Sequence, residues 1–255
     1  LVLENGAAWP DTPDAADIVV AGDLNHSLQH IGAALAPQVW PEVASFASIR
    51  DGLISAFERS WTLPEAERLA APDICRSVSQ ALRVDDVVLS GVGLHKLWIA
   101  RHVVPKRPGQ VIIPNGLAGM GLALPGAIAA AQLVEKGRVI ALCGDGDLMM
   151  NLQEMETAAR LGLRLTVLVF EDGGYGLIDE YQQDQDNNFA FGNPNWSDLA
   201  RAFGWSYAPV TRLSELDERL DAMMEWAGAF LAGFGVVQVE LNKACGGMPQ
   251  ARRVA

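Results

Sequence analysis

The sequence predicts an α/β protein whose doubly wound parallel sheet carries helices on both faces. From residue 72 onward, apolar runs of four to six residues alternate with longer helical patterns. Each run is continuous instead of alternating with polar residues, as expected for strands buried on both faces. Regular alternation of strand and helix is typical of parallel sheets. No internal repeat or low-complexity stretch interrupts the pattern.

The segment before residue 70 is less regular. Residues 1–16 are rich in Pro, Ala and Asp and indicate a tail or linker. The apolar run at 18–22 predicts a short strand, and Asp23 is a candidate N-cap for a helix over 24–36. Residues 37–70 carry scattered prolines and aromatic residues and indicate a helix and connector.

The regular part contains the elements of the sheet in sequence order. The predicted strands are Val87–Ser90, Gln110–Ile113, Arg138–Cys143, Leu165–Phe170 and Val236–Leu241. The predicted helices are 73–83, 95–104, 119–135, 149–161, 175–184, 196–203 and 213–231. The segment 116–134 is the most apolar, but its glycines and Pro125 favour a tightly packed buried helix over a membrane span.

Composition excludes several classes of function. The 255 residues carry a formal net charge of −12, which argues against a nucleic-acid-binding surface and against attraction to anionic lipid. No secretory signal pattern is visible. Cys75, Cys143 and Cys245 are far apart in the sequence and indicate reduced thiols, so we expect a cytoplasmic protein.

Two acidic turns follow neighbouring apolar strands and carry the strongest chemical signal. The strand 138–143 ends in Gly144-Asp145-Gly146-Asp147, and a helix follows. Glycines allow close approach of the backbone to a ligand, and a helix N-terminus favours an anion. The next strand ends in a turn that contains Asp172. Because ligands of parallel sheets lie beyond the carboxyl ends of the strands, both carboxylates can converge on one Mg²⁺ ion beside an anion.

This arrangement resembles the diphosphate-binding signature of thiamine-diphosphate enzymes, in which G-D-G opens the motif and N-N or N-D closes it. Residues 92–98, VGLHKLW, resemble a segment of the acetolactate synthase group, as do residues 116–125, GLAGMGLALP. Residues 17–35, 166–175 and 191–194 also fit that group. The resemblance extends from Asp17 to Leu241 and matches the C-terminal part of the family's usual three-domain chain. It implies residues 1–70 as the end of a middle domain plus a connector, 71–242 as the cofactor domain and 243–255 as a tail.

The resemblance implies thiamine diphosphate and Mg²⁺ as cofactors and assigns positions to them. Asp145, Asp172 and the backbone carbonyl of Gly174 match the metal ligands. The positions implied to contact the cofactor are His95, Ala118, Gly119, Met120, Gly144, Gly146, Asp147, Tyr175 and Gly176. Among these, Met120 matches a bulky residue that wedges the cofactor into a bent conformation. Ala118 replaces a glycine whose backbone carbonyl contacts the aminopyrimidine.

Three departures from the family pattern concern the ligand and the substrate. Leu94 replaces a glutamine, which puts one diphosphate contact in doubt. Tyr181 replaces a substrate-selecting tryptophan. Ile178 stands where simple decarboxylases carry a catalytic glutamate, which favours carboligation over plain decarboxylation. No catalytic residue is assigned with certainty in this chain; Ile178 and Tyr181 are candidates for the substrate pocket.

The cofactor also needs a glutamate beside its pyrimidine ring, which in the family belongs to a separate pyrimidine-binding domain. No such domain is recognised here. We therefore expect one subunit of a split enzyme that acts on a small 2-oxo acid in a hetero-oligomer, a heterotetramer or larger. The alternatives are a fragment of a longer chain, a simple decarboxylase or oxidase of the same family, and a non-catalytic homologue.

Overall fold

A computed structural model of the chain describes residues 2–4, 19–35, 48–49, 51–52, 55, 69–181, 189–226 and 228–237. The chain divides into two compact units, Leu1–Ala56 and Phe57–Ala255. No helix in the described ranges is both long enough and apolar enough to cross a membrane.

The first unit contains two short strands and a helix. Strand β1 (Val2–Glu4) pairs in parallel with β2 (Val19–Ala21), and α1 (Leu24–Leu35) follows. The side chain of Asp23 accepts the N–H of His26 at 2.8 Å, which confirms the predicted N-cap. The prediction of a tail over 1–16 is wrong for Val2–Glu4, because this strand depends on a distant partner that local composition does not reveal.

The second unit is built on a sheet of seven parallel strands within the described residues. The strands are β3 (Leu69–Ala70), β4 (Val87–Ser90), β5 (Val111–Ile112), β6 (Val139–Gly144), β7 (Leu165–Glu171), β8 (Ser206–Val210) and β9 (Ala229–Val237). Their order is β3-β9-β7-β6-β4-β5, and β8 also pairs with β9. The predicted α/β class with a parallel sheet is confirmed.

Helices cover both faces of this sheet. They are α2 (Ala71–Ala81), α3 (Leu94–His102), α4 (Ala123–Leu133), α5 (Asp145–Met149), α6 (Glu154–Arg160), α7 (Gly176–Tyr181), α8 (Trp196–Ala202) and α9 (Leu213–Met224). One core cluster joins α2, α3 and α9 to the sheet, and the other joins α4, α6 and α8. Along β6, Ile140 and Leu142 enter the first cluster while Val139, Ala141 and Cys143 enter the second, so the strand is buried on both faces.

Two predicted helices and one strand that was not predicted need correction. The helix predicted over 213–231 ends at Met224, and residues 229–237 form β9, because this glycine-containing segment pairs with β7, β8 and β3. Strand β8 was not predicted; its Pro209 is compatible with an edge strand, and among the described strands β8 pairs with β9 alone. The helix predicted over 149–161 is shorter and begins at Glu154 as α6, and a separate short helix, α5, covers Asp145–Met149 before it. Residues 238–241 of the predicted last strand lie outside the described residues.

Candidate functional site

A cavity of about 210 Å³ lies at the carboxyl ends of β4, β6 and β7. Its walls are residues 92–95 after β4, positions 118 and 120 before α4, residues 144–147 after β6, and residues 172 and 174–178 after β7. Four separate loops therefore meet at the edge where parallel sheets bind their ligands.

Most of the residues singled out in the sequence line this cavity. They are His95, Ala118, Met120, Gly144, Asp145, Gly146, Asp147, Asp172, Gly174, Tyr175, Gly176 and Ile178. Two others do not: Gly119 is exposed, and Tyr181 is 74% exposed at the end of α7. Leu94, which replaces a polar residue of the related group, lies between the cavity and the apolar core.

Asp145 is buried and surrounded by neutral donors. Its Oδ1 accepts the N–H of Gly146 at 2.7 Å, and its Oδ2 accepts the N–H of Gly173 and the Nδ2 of Asn193, both at 2.8 Å. The sequence analysis noted Asn193 without giving it a role, since nothing local indicates that a residue 48 positions away contacts Asp145. No Lys, Arg or His of the described ranges forms an ion pair with Asp145.

Asp147 is also buried, and its side chain is directed to two other loops. Its Oδ1 accepts the N–H of Val92 and the N–H of Gly121, each at 2.9 Å. Burial raises the pKa of Asp147, and these two hydrogen bonds offset part of that rise. The side chain of Asp147 therefore connects three of the loops that form the cavity.

His95 is held as a neutral imidazole at the wall of the cavity. Its Nε2 accepts the N–H of Gly144 at 3.1 Å, so its Nδ1 carries the proton. Burial, and secondarily the charge of Lys96, lower the pKa of His95 to about 3. The ring stacks on Phe170 with centroids 5.8 Å apart. Glycine is required at position 144, because a Cβ there would lie 2.8 Å from the imidazole Nδ1.

The backbone at Ala118 is strained. Its φ of +49° lies in the left-handed region, which non-glycine residues rarely adopt. This is the position where the sequence analysis found alanine in place of the family's glycine. The strain lies in the cavity wall, where unusual backbone conformations often accompany function.

The donor set at this edge fits a hard cation. Asp145 and Asp172 both line the cavity and present carboxylate oxygens, which Mg²⁺ prefers. Burial, and secondarily the negative charge of Asp145, raise the pKa of the adjacent Glu171. The described residues place no group of three or more His, Cys, Asp or Glu side chains to hold a metal. The predicted set consists of two carboxylates and one backbone carbonyl.

The fold and this edge define a parallel α/β domain with an acidic ligand cavity formed by glycine-rich loops. Comparison with known proteins gives its family. Residues 91–233 match the family described as "Thiamine pyrophosphate enzyme, C-terminal TPP binding domain". The chain belongs to this family of thiamine pyrophosphate enzymes.

Individual relatives agree with the family assignment. The chain is 29% identical over 231 residues to acetolactate synthase isozyme 2 large subunit of Escherichia coli, covering 88% of this chain and 41% of that protein. It is 27% identical over 226 residues to a catabolic acetolactate synthase of Raoultella terrigena, covering 87% and 40%. It is 35% identical over 142 residues to a putative thiamine pyrophosphate-containing protein, YdaP, of Bacillus subtilis, covering 54% and 25%. The chain thus spans about two-fifths of the length of the first two relatives.

Proposed function

We propose that this chain is the diphosphate- and Mg²⁺-binding subunit of a thiamine-diphosphate-dependent enzyme that decarboxylates a 2-oxo acid and ligates the product to an acceptor carbonyl. The observation that carries the proposal is the pair Asp145 and Asp172 in the wall of one cavity. Asp145 is buried there, and the hydrogen bonds it accepts within the described part of the chain come from neutral donors. A buried carboxylate without a positive partner is costly, and a bound cation would compensate for its charge.

Each wall of the cavity has a distinct task in this proposal. Asp145, Asp172 and the carbonyl of Gly174 hold Mg²⁺, which lets an acidic chain bind a diphosphate. The Nδ1–H of His95 donates to a diphosphate oxygen, since its Nε2 is engaged by Gly144. A neutral imidazole with a pKa of about 3 stays a donor at this one nitrogen throughout the physiological pH range.

The apolar part of the wall orients the cofactor. Met120 and Ala118 line the cavity, where Met120 would support the bound cofactor and the carbonyl of Ala118 would accept a hydrogen bond from its aminopyrimidine. When bound, thiamine diphosphate supplies a thiazolium carbon that stabilises negative charge beside the carbonyl carbon of the substrate. Ile178 offers no proton at the substrate side of the cavity, which favours transfer to an acceptor carbonyl over protonation.

A partner supplies the catalytic glutamate in this proposal. The cavity of about 210 Å³ is smaller than the range of about 300–1,000 Å³ that is usual for small-molecule sites, as expected when another domain completes it. Leu117 and Leu122 flank the segment that contains the wall residues Ala118 and Met120, and their side chains are exposed (101% and 48%). Exposed large apolar groups beside a wall segment favour a protein interface there. We propose a separate pyrimidine-domain chain in a hetero-oligomer, and the cytoplasmic location stays a prediction.

Mass spectrometry of the native assembly under non-denaturing and denaturing conditions tests the partner. A second polypeptide in stoichiometric amount supports a split enzyme. A single longer polypeptide that contains these 255 residues contradicts it in favour of a fragment.

Product analysis with the same assembly tests the reaction. Pyruvate with and without an aldehyde acceptor should give a ligated product and little free aldehyde. Free aldehyde alone would indicate a simple decarboxylase, and an oxygen-dependent acid product would indicate an oxidase. Binding of the cofactor without any turnover of 2-oxo acids would indicate a non-catalytic homologue.

Replacement of Asp145 tests the metal role. Asp145→Ala should abolish Mg²⁺-dependent retention of thiamine diphosphate. Glu156→Ala is the matched control, because it removes a 57%-exposed carboxylate of α6 that pairs only with Arg160. Unchanged retention in Asp145→Ala would refute the metal role.

A further inference from the structure

Three loops of the cavity are tied together by one carboxylate. The carboxylate belongs to Asp147, which follows β6. Its partners are Val92, which follows β4 and lies 55 positions away in sequence, and Gly121, which precedes α4 and lies 26 positions away. Both N–H groups donate to the same oxygen, Oδ1, at 2.9 Å.

The surroundings of Asp147 leave little room for another arrangement. The residue is 1% exposed. A Cβ at Gly91 would collide with Asp147 Oδ2, so the backbone that follows β4 packs directly against the carboxylate. No cation of the described residues forms an ion pair with Asp147, so the N–H groups of Val92 and Gly121 are the donors that hold its carboxyl group.

The turn at Gly121 is held on two sides. Its N–H is bound by Asp147, and its carbonyl accepts the Nδ2 of Asn151 at 2.8 Å. Gly121 has φ of +85°, and a Cβ there would lie 2.7 Å from that same Nδ2. Met120, the preceding residue, lines the cavity. The backbone that presents Met120 is therefore fixed by contacts with the segment after β6.

We propose that Asp147 is a positioning residue, which sets Met120 and the segment after β4 in the geometry that binds the cofactor. The proposal rests on the proposed function and adds a role that the position of Asp147 after the G-D-G turn does not itself imply. Asp147 acts through Val92 and Gly121 and needs no contact of its side chain with the ligand. Asn151 supports the turn at Gly121 by donating to its carbonyl, and it does not contact Val92.

The contact of the Asp147 carboxyl group with the N–H groups of Val92 and Gly121 is called the tether below. Amide hydrogen exchange of the native assembly, measured without cofactor, tests the tether directly. In Asp147→Ala, exchange at Val92 and Gly121 should accelerate by at least about tenfold relative to the strand interiors, since both N–H groups lose their hydrogen-bond acceptor. Asn151→Ala should accelerate exchange at Gly121 and leave Val92 unchanged. Asp147→Asn, which retains one acceptor oxygen, should restore much of the protection and serves if the alanine variant does not fold.

Asp86→Asn is the matched control for general loss of stability. Asp86 is an equally buried aspartate, but it lies at the start of β4 and contacts neither loop. Asp86→Asn should accelerate exchange throughout the sheet, with no larger effect at Val92 and Gly121 than elsewhere. Equal protection in Asp147→Ala and the wild type, or a pattern identical to that of Asp86→Asn, would overturn the tether.

Cofactor titration separates the positioning role from a merely structural one. The concentration of thiamine diphosphate that gives half-saturation in the presence of Mg²⁺ should rise about tenfold in Asp147→Ala and less in Asp147→Asn. Accelerated exchange with unchanged half-saturation would overturn the positioning role and keep the tether. If the wild type itself binds no thiamine diphosphate, the proposed function fails, whereas the exchange results still decide the tether.

Discussion

Buried aspartates at the two ends of the central strands differ in their partners: a positive side chain at the amino ends and neutral N–H groups at the carboxyl ends. At the amino edge, Asp86 precedes β4 and is fully buried beside Arg138, which precedes β6, with Nη2 and Oδ2 2.6 Å apart. At the carboxyl edge, Asp145 and Asp147 follow the same β6 and are just as buried, but their partners are neutral N–H groups.

The pKa values reflect this difference. Burial opposes ionisation of Asp86, but the Arg138 guanidinium and the N–H groups of Arg83 and Arg138 outweigh burial and hold its pKa below the usual value. Burial raises the pKa of Asp147 instead, since its hydrogen bonds compensate only in part. The amino edge is thus balanced within the chain and serves stability. The carboxyl edge carries uncompensated charge, which is typical of a site that binds a ligand.

Removing Asp86 should have the largest effect. Asp86→Ala leaves the Arg138 side chain, 6% exposed, without its buried carboxylate partner. What remains are the carbonyl of Ala81 at 2.6 Å and the more exposed carboxylates of Asp221 and Glu225 at 3.4 and 3.7 Å. Loss of one partner of a buried pair costs about 3–5 kcal/mol of unfolding free energy. Urea denaturation measures this loss, and a change below about 1 kcal/mol would mean that the two edges do not differ as described.

The conservative change at the opposite edge should affect binding more than stability. Asp145→Asn retains the size of the side chain but replaces one acceptor oxygen by an NH2 donor, so at least one of its three hydrogen bonds is lost, which costs about 1–3 kcal/mol. Because changes beside metal ligands already cost 10–100-fold in affinity, loss of a ligand should weaken Mg²⁺-dependent cofactor binding at least about 100-fold. Denaturation and calorimetry on the same preparation compare the two effects; a large loss of stability with intact binding would reverse our assignment of the edges.

The pH dependence of stability distinguishes the contribution of the Asp86–Arg138 pair from that of His102. Burial, with secondary contributions from Arg76 and Arg101, lowers the pKa of His102 from 6.5 to about 4. The unfolded chain therefore binds a proton at His102 that the folded chain excludes, so stability falls as the pH drops from about 6.5 to about 4. The contribution of Asp86, whose folded pKa lies below 3.8, is complete throughout this pH range and is lost only below about pH 3.8.

His102→Gln should flatten the stability profile in this window by on the order of 2 kcal/mol. Urea midpoints measured from pH 4 to pH 7 test it. The slope below pH 4, which belongs to groups such as Asp86, should persist in the variant. An unchanged slope between pH 4 and 6.5 would show that His102 is not held neutral.

The smallest effect is expected at the strained residue of the carboxyl edge. Ala118→Gly should raise the unfolding free energy by up to about 1 kcal/mol, since glycine adopts a φ of +49° without the steric cost. Thermal unfolding measures the gain. A clear loss of stability would mean that the flexibility of glycine in the unfolded chain outweighs the strain at Ala118.

The sequence reveals those parts of the fold that depend on local pattern. The continuous runs at 87–90, 138–143 and 165–170 identify the central strands, because burial on both faces requires apolar residues at every position. Strand β9 was misassigned in part because its glycine-containing segment has no such signature, and its strand conformation depends on pairing with β7, β8 and β3.

In the candidate site as well, the features that depend on local sequence can be predicted, and those that depend on distant contacts cannot. The turns at 144–147 and 172–176 are recognisable because glycine and aspartate follow predicted strands and match a family signature. Asn193 donates to Asp145, and the N–H groups of Val92 and Gly121 donate to Asp147. These hydrogen bonds join segments that are distant in sequence, so no motif or spacing predicts them. The positive φ of Ala118 is visible only in the folded backbone.

Titration calorimetry of thiamine diphosphate into the native assembly, with Mg²⁺ and then with excess chelator, tests the central claim most directly. If the carboxyl edge is an acidic site completed by a cation, the cofactor binds in Mg²⁺, and binding disappears in the chelator. Equal binding in both conditions, or no binding in Mg²⁺, would contradict the account.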